Sequence, residues 1–254
     1  MRIQSSSILH HRPGIDSLVK LYRDNAKLFY PRFTRTRTTT NAYDRIATEG
    51  SFPALNPQGE GLPLDFIDFR TPFYKDVVPV KYGGRFEVSS EASESDKTGI
   101  ISSKTLKLLR AADKAKELGC ANILNLSTSA AMATPDGVSL ANAAHLYSLG
   151  TFSNVVTGNP ALSVTSLATA LQELMLQPDD SGDPMAWTGP YMLLVPPALA
   201  DLAERLVFSK QYPTTNNNDM NWSGSMITNV VVNPYFTSST AWASRRCSSA
   251  TSTS

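Results

Sequence analysis

The apolar and polar positions between Ser163 and Ser209 predict the central unit of this chain. In its first part the apolar residues recur at helical spacing: Val164, Leu167, Ala168, Leu171, Leu174 and Met175. Ser163 is a good N-cap, and Pro178 ends the predicted helix because proline disfavours helical geometry in the residue before it. The unbroken apolar run Tyr191–Val195 predicts a strand buried on both faces. A second helix is predicted from Pro197, so that two helices and a buried strand form a core.

The N-terminal part is predicted to be a helix followed by an exposed arm. An apolar stripe from Ile15 to Phe29 predicts an amphipathic helix after Pro13. The segment Arg32–Thr40 alternates basic and threonine residues and is predicted to be extended and solvated. Its three arginines, Arg32, Arg35 and Arg37, are candidates for contact with phosphate. The following residues to Pro63 are rich in proline and glycine without any period, which predicts a loop.

A hairpin and a long helix are predicted in the next part of the chain. The segments Lys75–Tyr82 and Arg85–Ser90 flank the dipeptide Gly83-Gly84, which is typical of a two-residue hairpin turn. Ser102–Leu124 has the pattern of one helix about 35 Å long, although Gly119 near its end is compatible with a break. Its apolar stripe (Leu108, Ala111, Ala115 and Leu118) is rich in alanine, so the helix must pack across a sheet or another subunit to be stable.

The last part of the chain is predicted to contain one strand and a disordered tail. A polar loop covers 211–225, and the apolar residues of Ser225–Asn233 predict the strand. From Ala243 the chain is rich in serine and threonine and has no apolar period, which predicts disorder over 243–254.

Composition narrows the classes of protein to which this chain can belong. It has 254 residues, of which 41% are hydrophobic and 18% charged, as expected for a globular protein. A net charge of +1 does not indicate tight nucleic-acid binding by the whole chain, so any contact with a genome is local. Two cysteines, Cys120 and Cys247, provide neither a disulfide framework nor a zinc site. No signal peptide or membrane-spanning run is recognisable, which predicts a protein of the reducing cytoplasm.

His145 is the residue with the clearest catalytic potential. With Asp136 or Ser139 it could form part of a small α/β hydrolase site. A structural histidine that is hydrogen-bonded to a loop is the simpler interpretation, because the chain has no G-x-S-x-G elbow and no second interior histidine. Phosphate-binding glycine loops are also absent from the sequence, so no catalytic, metal or cofactor site is predicted.

Several separated motifs resemble the major capsid proteins (major head subunits) of tailed bacteriophages. Asp136-Gly137, Leu140 and His145 resemble the DG..LF...H signature of that family, with Ala141 in place of its usual phenylalanine. The family's TFSN, YLLVPP and VVV.PYL motifs are matched by Thr151–Asn154, Tyr191–Pro197 and Val230–Phe236, and a tryptophan follows at Trp242. The motifs fall in order over about 77–242, so the resemblance is specific. The family usually has further apolar strand residues after this point, which the sequence here lacks.

The resemblance implies an α+β fold of the Hong Kong 97 type. The domains that it implies are an N-terminal arm and loop (1–64), an extended loop with a hairpin (65–98), a peripheral domain with a spine helix (99–160), an axial domain (161–225), a return strand (226–242) and the tail (243–254). It further implies contacts between subunits at two groups of residues: Arg32, Arg35 and Arg37, and Lys81, Tyr82, Gly83, Gly84 and Arg85.

The function implied by the resemblance is self-assembly. Copies of the chain would form hexamers and pentamers that close an icosahedral head shell around double-stranded DNA. The protein would be assembled in the host bacterial cytoplasm and reside in the virion capsid, without cofactor or membrane. A scaffolding protein, a maturation protease and a portal are possible further partners. Two alternatives remain open: an encapsulin-like nanocompartment shell, and the small α/β hydrolase.

Overall fold

The computed structural model describes most of the chain. The described residues are 5–48, 50–52, 54–55, 57, 59–61, 66–67, 73–89, 99–185, 188–211 and 220–246, with side chains described only between 14 and 244. These residues form two compact units, of which the first comprises Met1–Thr36 with Val80–Cys120, and the second comprises Arg37–Pro79 with Ala121–Ser254. No helix in the described ranges is both long enough and apolar enough to cross a membrane.

The second unit is built around one buried strand. This strand, β5 (Tyr191–Val195), is buried at all five positions. It pairs in parallel with β6 (Ile227–Val232) and antiparallel with β7 (Ala243–Arg246). The buried side chains that form the core with it are contributed by several elements: Leu162, Leu167, Leu171, Tyr191, Leu193, Val195, Ala203, Leu206, Val207 and Ile227. The predicted strand with two buried faces is therefore observed.

Two helices supply most of the remaining core residues, and both agree with the predicted apolar stripes. Helix α3 (Val164–Met175) begins at the predicted cap, where Ser163 Oγ accepts a hydrogen bond from the Ser166 N–H at 3.2 Å. The Ser163 N–H donates in return to Ser166 Oγ at 2.9 Å, so both ends of this capping box are formed. After a 3₁₀ turn at Pro197–Leu199 comes α4 (Ala200–Phe208).

Two elements near the end of the chain correct the sequence-based predictions. The predicted disorder of 243–254 is wrong for β7, which pairs with the edge of β5 that β6 does not cover. Backbone hydrogen bonds to an open edge do not require an apolar side-chain pattern, so the composition did not reveal this strand. The remaining tail residues lie outside the described part. A short helix α5 (Trp222–Met226) replaces the end of the predicted polar loop and the first two residues of the predicted strand. It is capped by Asn221 Oδ1, which accepts a hydrogen bond from the Gly224 N–H at 3.0 Å.

The first unit contains α1 (Ser5–Asn25) and most of the long helix α2 (Ile100–Asn125). Helix α2 is continuous through Gly119, and α1 begins earlier than the predicted start after Pro13. Glu117 of α2 is buried, and its carboxylate accepts hydrogen bonds from the Phe29 N–H at 2.5 Å and the Tyr30 N–H at 3.1 Å. The predicted exposed arm is wrong at one position, because Phe33 is buried.

The predicted hairpin around Gly83-Gly84 is absent from the described residues. Strand β2 (Tyr74–Val77) pairs instead with β1 (Asp44–Ala47), antiparallel, and residues 78–89 form no strand. A tight hairpin turn of the predicted kind needs positive φ angles, and neither glycine of the dipeptide has one.

The β1–β2 pair is stabilised across the strands by a single arginine. Arg45 Nε and Nη2 lie 2.7 and 2.8 Å from Asp76 Oδ1 and Oδ2, a bidentate ion pair. The guanidinium of Arg45 also lies 4.4 Å from the centre of the Tyr74 ring. Most side chains of this ribbon are exposed, and an isolated two-stranded ribbon is only marginally stable in water.

Candidate interaction surfaces

Residues 76–87 form an uninterrupted run of exposed residues, called the exposed segment below. It begins with the last two residues of β2 and has no regular secondary structure after Val77. Its large apolar side chains are unusually accessible, with Val78 exposed at 66%, Val80 at 71% and Tyr82 at 79%. Apolar side chains concentrated in this way are typical of surfaces that become covered by a partner.

The second group of candidate contact residues lies within the exposed segment. Lys81, Gly83, Gly84 and Arg85 are exposed along with Tyr82. The Arg85 Nη2 lies 3.6 Å from Glu87 Oε1, but both side chains are almost fully solvated, so this ion pair contributes little. These residues are consequently accessible to another molecule.

The first group of candidate contact residues is also accessible. Arg32 is exposed and its guanidinium lies 5.9 Å from the Phe29 ring centre. Arg35 is exposed, and Arg37 Nε lies 3.6 Å from Asp44 Oδ2 with the arginine largely in solvent. No hydrogen bond or ion pair among the described residues joins these arginines to Lys81 or Arg85.

His145 and Asp136 form a buried pair in the second unit. His145 begins β3 (His145–Tyr147), which pairs antiparallel with β4 (Gly150–Phe152), and its ring stacks on Phe152 at 5.4 Å. Its Nδ1 lies 2.8 Å from Asp136 Oδ2, and its Nε2 lies 3.2 Å from the Leu140 carbonyl oxygen. Both partners are hydrogen-bond acceptors, so the two ring nitrogens can donate together only in the doubly protonated imidazolium.

The Asp136 carboxylate receives several hydrogen bonds at once. Burial by itself raises its pKa, but hydrogen bonds from the Thr134 hydroxyl, His145 and the Leu146 N–H outweigh burial and lower that pKa below the ordinary value. The Leu146 N–H donates to Oδ2 at 3.2 Å. Gly137, the next residue, has φ +85°, which a tight turn requires and which glycine adopts without strain. The hydrogen bonds of Asp136 to His145 and Leu146 thus connect the turn at 134–138 with the start of β3.

The hydrogen bonds of this region do not form a nucleophile and base. Ser139 Oγ donates to the Ala141 carbonyl oxygen at 3.1 Å and accepts from Asn142 Nδ2 at 3.1 Å. Neither bond directs the hydroxyl at His145, whose two ring nitrogens already have partners. An open cavity of about 760 Å³ lies beside the pair, lined by aromatic, proline and acidic residues such as Phe73, Tyr147 and Asp180. No group of potential metal ligands occurs among the described residues.

Sequence reasoning identified His145 as a residue of interest, but it predicted a hairpin where the exposed segment lies and missed the β1–β2 ribbon. The partners of that ribbon, such as Arg45 and Asp76, are about thirty residues apart in the chain. The only local signal was the short alternation around Ile46, which proline-rich and glycine-rich sequence follows directly.

Comparison with known proteins identifies a matching family model and similar solved structures. The family model described as phage capsid protein matches residues 74–246. A search of curated protein sequences returns no significant match. The bacteriophage JBD30 capsid is similar in structure, with a TM-score of 0.66 and 14% identity, over 85% of this chain and 94% of that chain. The JBD30 capsid decorated with minor capsid protein trimers gives a TM-score of 0.63 and 14% identity, over 84% and 92% of the two chains.

Proposed function

Because the chain belongs to the phage capsid protein family, we propose that its subunits join through the exposed segment. The chain is a major capsid protein, a structural and non-enzymatic protein that assembles with further copies of itself into the head shell of the virion. Its mixed helices and sheets have the fold of phage capsids. The hydrolase alternative is therefore wrong, and His145 is a structural residue.

We propose that the chain has the Hong Kong 97 arrangement of domains. The axial domain would comprise 161–225, which contain α3, β5 and α4, followed by the return strand at 226–242. The peripheral domain at 99–160 would have α2 as its spine; this helix of 26 residues is about 39 Å long. Residues 1–64 would form the arm. The extended loop at 65–98 would begin on the β1–β2 ribbon rather than on a hairpin of its own.

The exposed segment is the observation that best supports a contact between subunits. Transferring a valine or similar side chain from water into an interface contributes up to about 1.5–3 kcal/mol. Val78, Val80 and Tyr82 together therefore offer several kcal/mol that the isolated subunit does not use. Shell proteins need large interfaces, and a segment that reaches a neighbour supplies interface area without enlarging the subunit core. Lys81, Gly83, Gly84 and Arg85 would lie at the same contact, and Arg32, Arg35 and Arg37 at a second one.

We further propose that the closed shell surrounds double-stranded DNA and assembles in the host bacterial cytoplasm. With a net charge of +1 per chain, contact with DNA would be confined to a local basic surface. A scaffolding protein, a maturation protease and a portal are proposed as further partners. The encapsulin-like alternative is less well supported, since the matching family and structures are those of phage capsids.

Negative-stain electron microscopy tests this proposal. The purified, untagged protein is imaged alone and after co-expression with candidate assembly partners. Shells or capsomer rings are expected from the unchanged protein. The double variant Val80→Ser and Tyr82→Ser should give folded subunits that do not close shells. Leu176→Ser, which removes a similarly exposed apolar side chain outside the segment, is the control. Normal shells from the double variant would exclude the exposed segment as a contact, whereas monodisperse monomers of the unchanged protein under both conditions would contradict the proposed assembly.

A further inference from the structure

One face of helix α2 carries four basic side chains and no acidic one. Lys104, Lys107, Arg110 and Lys114 are all exposed. At about 100° per residue they fall within an arc of about 120° on the helix surface, over about 15 Å of its length. The chain as a whole is almost neutral, so this concentration of charge is a local feature of the surface.

The acidic residues of the same helix do not neutralise this face. Burial, and after it an interaction with the nearby Asp113 carboxylate, raise the pKa of Tyr22 in α1. Lys116 Nζ lies 3.8 Å from the same carboxylate. Glu117 is buried and bound to the Phe29 and Tyr30 N–H groups. These two are the only acidic residues in α2, and within the described part of the chain no carboxylate forms an ion pair with the four exposed cations.

The composition of the face indicates what kind of partner it suits. Protein interfaces contain a core of apolar and aromatic residues and are depleted in lysine. Between Ser103 and Lys114 this face contains no large apolar side chain, and Ala111 is its only apolar residue. A dense row of lysine and arginine without an apolar centre is instead typical of contact with a phosphate backbone.

We propose that this basic face of α2 is the surface with which the capsid protein contacts packaged double-stranded DNA. The proposal rests on the proposed function, in which the shell encloses DNA. Along about 15 Å of duplex each strand carries about four phosphates, which matches the four cations in number. The contact reads no base sequence. The arginine segment at 32–37 is less suited, because Arg37 already lies near Asp44 and Arg32 near the Phe29 ring.

The test measures the affinity of soluble, full-length subunits for a fluorescently labelled DNA duplex of about 30 base pairs. The affinity is measured at several salt concentrations. A variant with Lys104→Gln, Lys107→Gln, Arg110→Gln and Lys114→Gln keeps good helix formers at all four positions. Its slope of log affinity against log salt should be shallower by about 3–4, since each lost phosphate contact removes about 0.9. Its affinity at about 100 mM salt should fall at least roughly tenfold.

Two further variants make the test specific. The control Lys20→Gln, Arg23→Gln, Lys27→Gln and Lys210→Gln removes the same charge from exposed positions that have no proposed role, and it should retain most of the slope. Lys104→Arg, Lys107→Arg and Lys114→Arg keep the charge, so the salt dependence of binding should stay that of the unchanged protein. Equal losses in the helix variant and the control, or no loss in the helix variant, would overturn the proposal. So would a helix variant that binds DNA normally but no longer forms shells, because the face would then contact another subunit. Failure of the unchanged protein to form shells in the microscope would instead count against the proposed function.

Discussion

The substitution Asp136→Asn tests the role of the buried His145 pair most directly. The change preserves the size of the side chain but removes its charge and replaces one acceptor oxygen with an NH₂ donor. If that NH₂ group takes the place of Oδ2, it faces His145 Nδ1 and the Leu146 N–H, which are both donors. If the amide is turned the other way, it loses the acceptor that faces Thr134.

The expected loss of stability follows from these contacts. A hydrogen bond to a charged group contributes about 1.5–3 kcal/mol, and the amide cannot accept all of the hydrogen bonds that the Asp136 carboxylate accepts. The side chains of Asp136 and His145 are only 8% and 6% exposed, so solvent replaces little of what is lost. We therefore expect Asp136→Asn to lower the free energy of unfolding by about 2–4 kcal/mol near neutral pH.

The pH dependence of this loss is the sharper part of the prediction. The pKa of Asp136 is lower in the folded protein than its ordinary value of 3.8, so its contribution to stability is fully present above that value. The contribution disappears as the pH falls through the lowered pKa, because the folded and unfolded forms are then both protonated. The stability difference between the unchanged protein and Asp136→Asn should thus be constant from about pH 7 to 5 and shrink below about pH 4.

Urea unfolding of the subunit, followed by circular dichroism at several pH values, measures this difference. Asp183→Asn removes an exposed carboxylate nearby and should change stability by less than about 0.5 kcal/mol. A difference for Asp136→Asn that stays below about 1 kcal/mol at neutral pH, or that grows as the pH falls, would refute the reasoning.

Two predictions concern the core of the second unit. Leu193→Ala removes a fully buried side chain from β5 and should lower the free energy of unfolding, measured by urea titration, by about 3–5 kcal/mol. The control Leu176→Ala, at a position 69% exposed, should lower it by less than about 1 kcal/mol. Gly224→Ala would place a Cβ against the Val207 carbonyl oxygen and so destabilise the subunit by about 3 kcal/mol, seen as a lowered Tm; an unchanged Tm would show that α5 can shift to make room.

The helix, strand and helix at Ser163–Ser209 were predictable because local sequence specifies them. The period of the apolar residues defines the buried face of α3, and the Ser163 cap defines where it begins. The apolar run of β5 is buried on every side, as its composition indicates. The ordered motifs around His145 and β5 also predicted the capsid family, which the match over 74–246 confirms. The predicted contact residues remain predictions.

Strand pairing was less predictable, because it depends on which distant segment offers free backbone groups. The glycine dipeptide at 83–84 suggested a local hairpin, yet β2 pairs with β1, where Arg45 binds Asp76 across the strands. Such a partner cannot be identified from a turn signal alone. Burial of Phe33, in a segment otherwise exposed, is likewise a result of tertiary packing.

The sequence by itself therefore determined the family, the central helices and the buried strand of this capsid protein, since periodicity and composition are local properties. Only the tertiary structure decided that β7 covers the second edge of β5, and that both ring nitrogens of His145 lie within hydrogen-bond distance of a partner. It also decided that the Glu117 carboxylate of α2 accepts hydrogen bonds from the distant Phe29 and Tyr30 N–H groups and so does not pair with the basic face. Each of these outcomes depends on hydrogen-bonding groups that are distant in sequence and meet only in the folded chain.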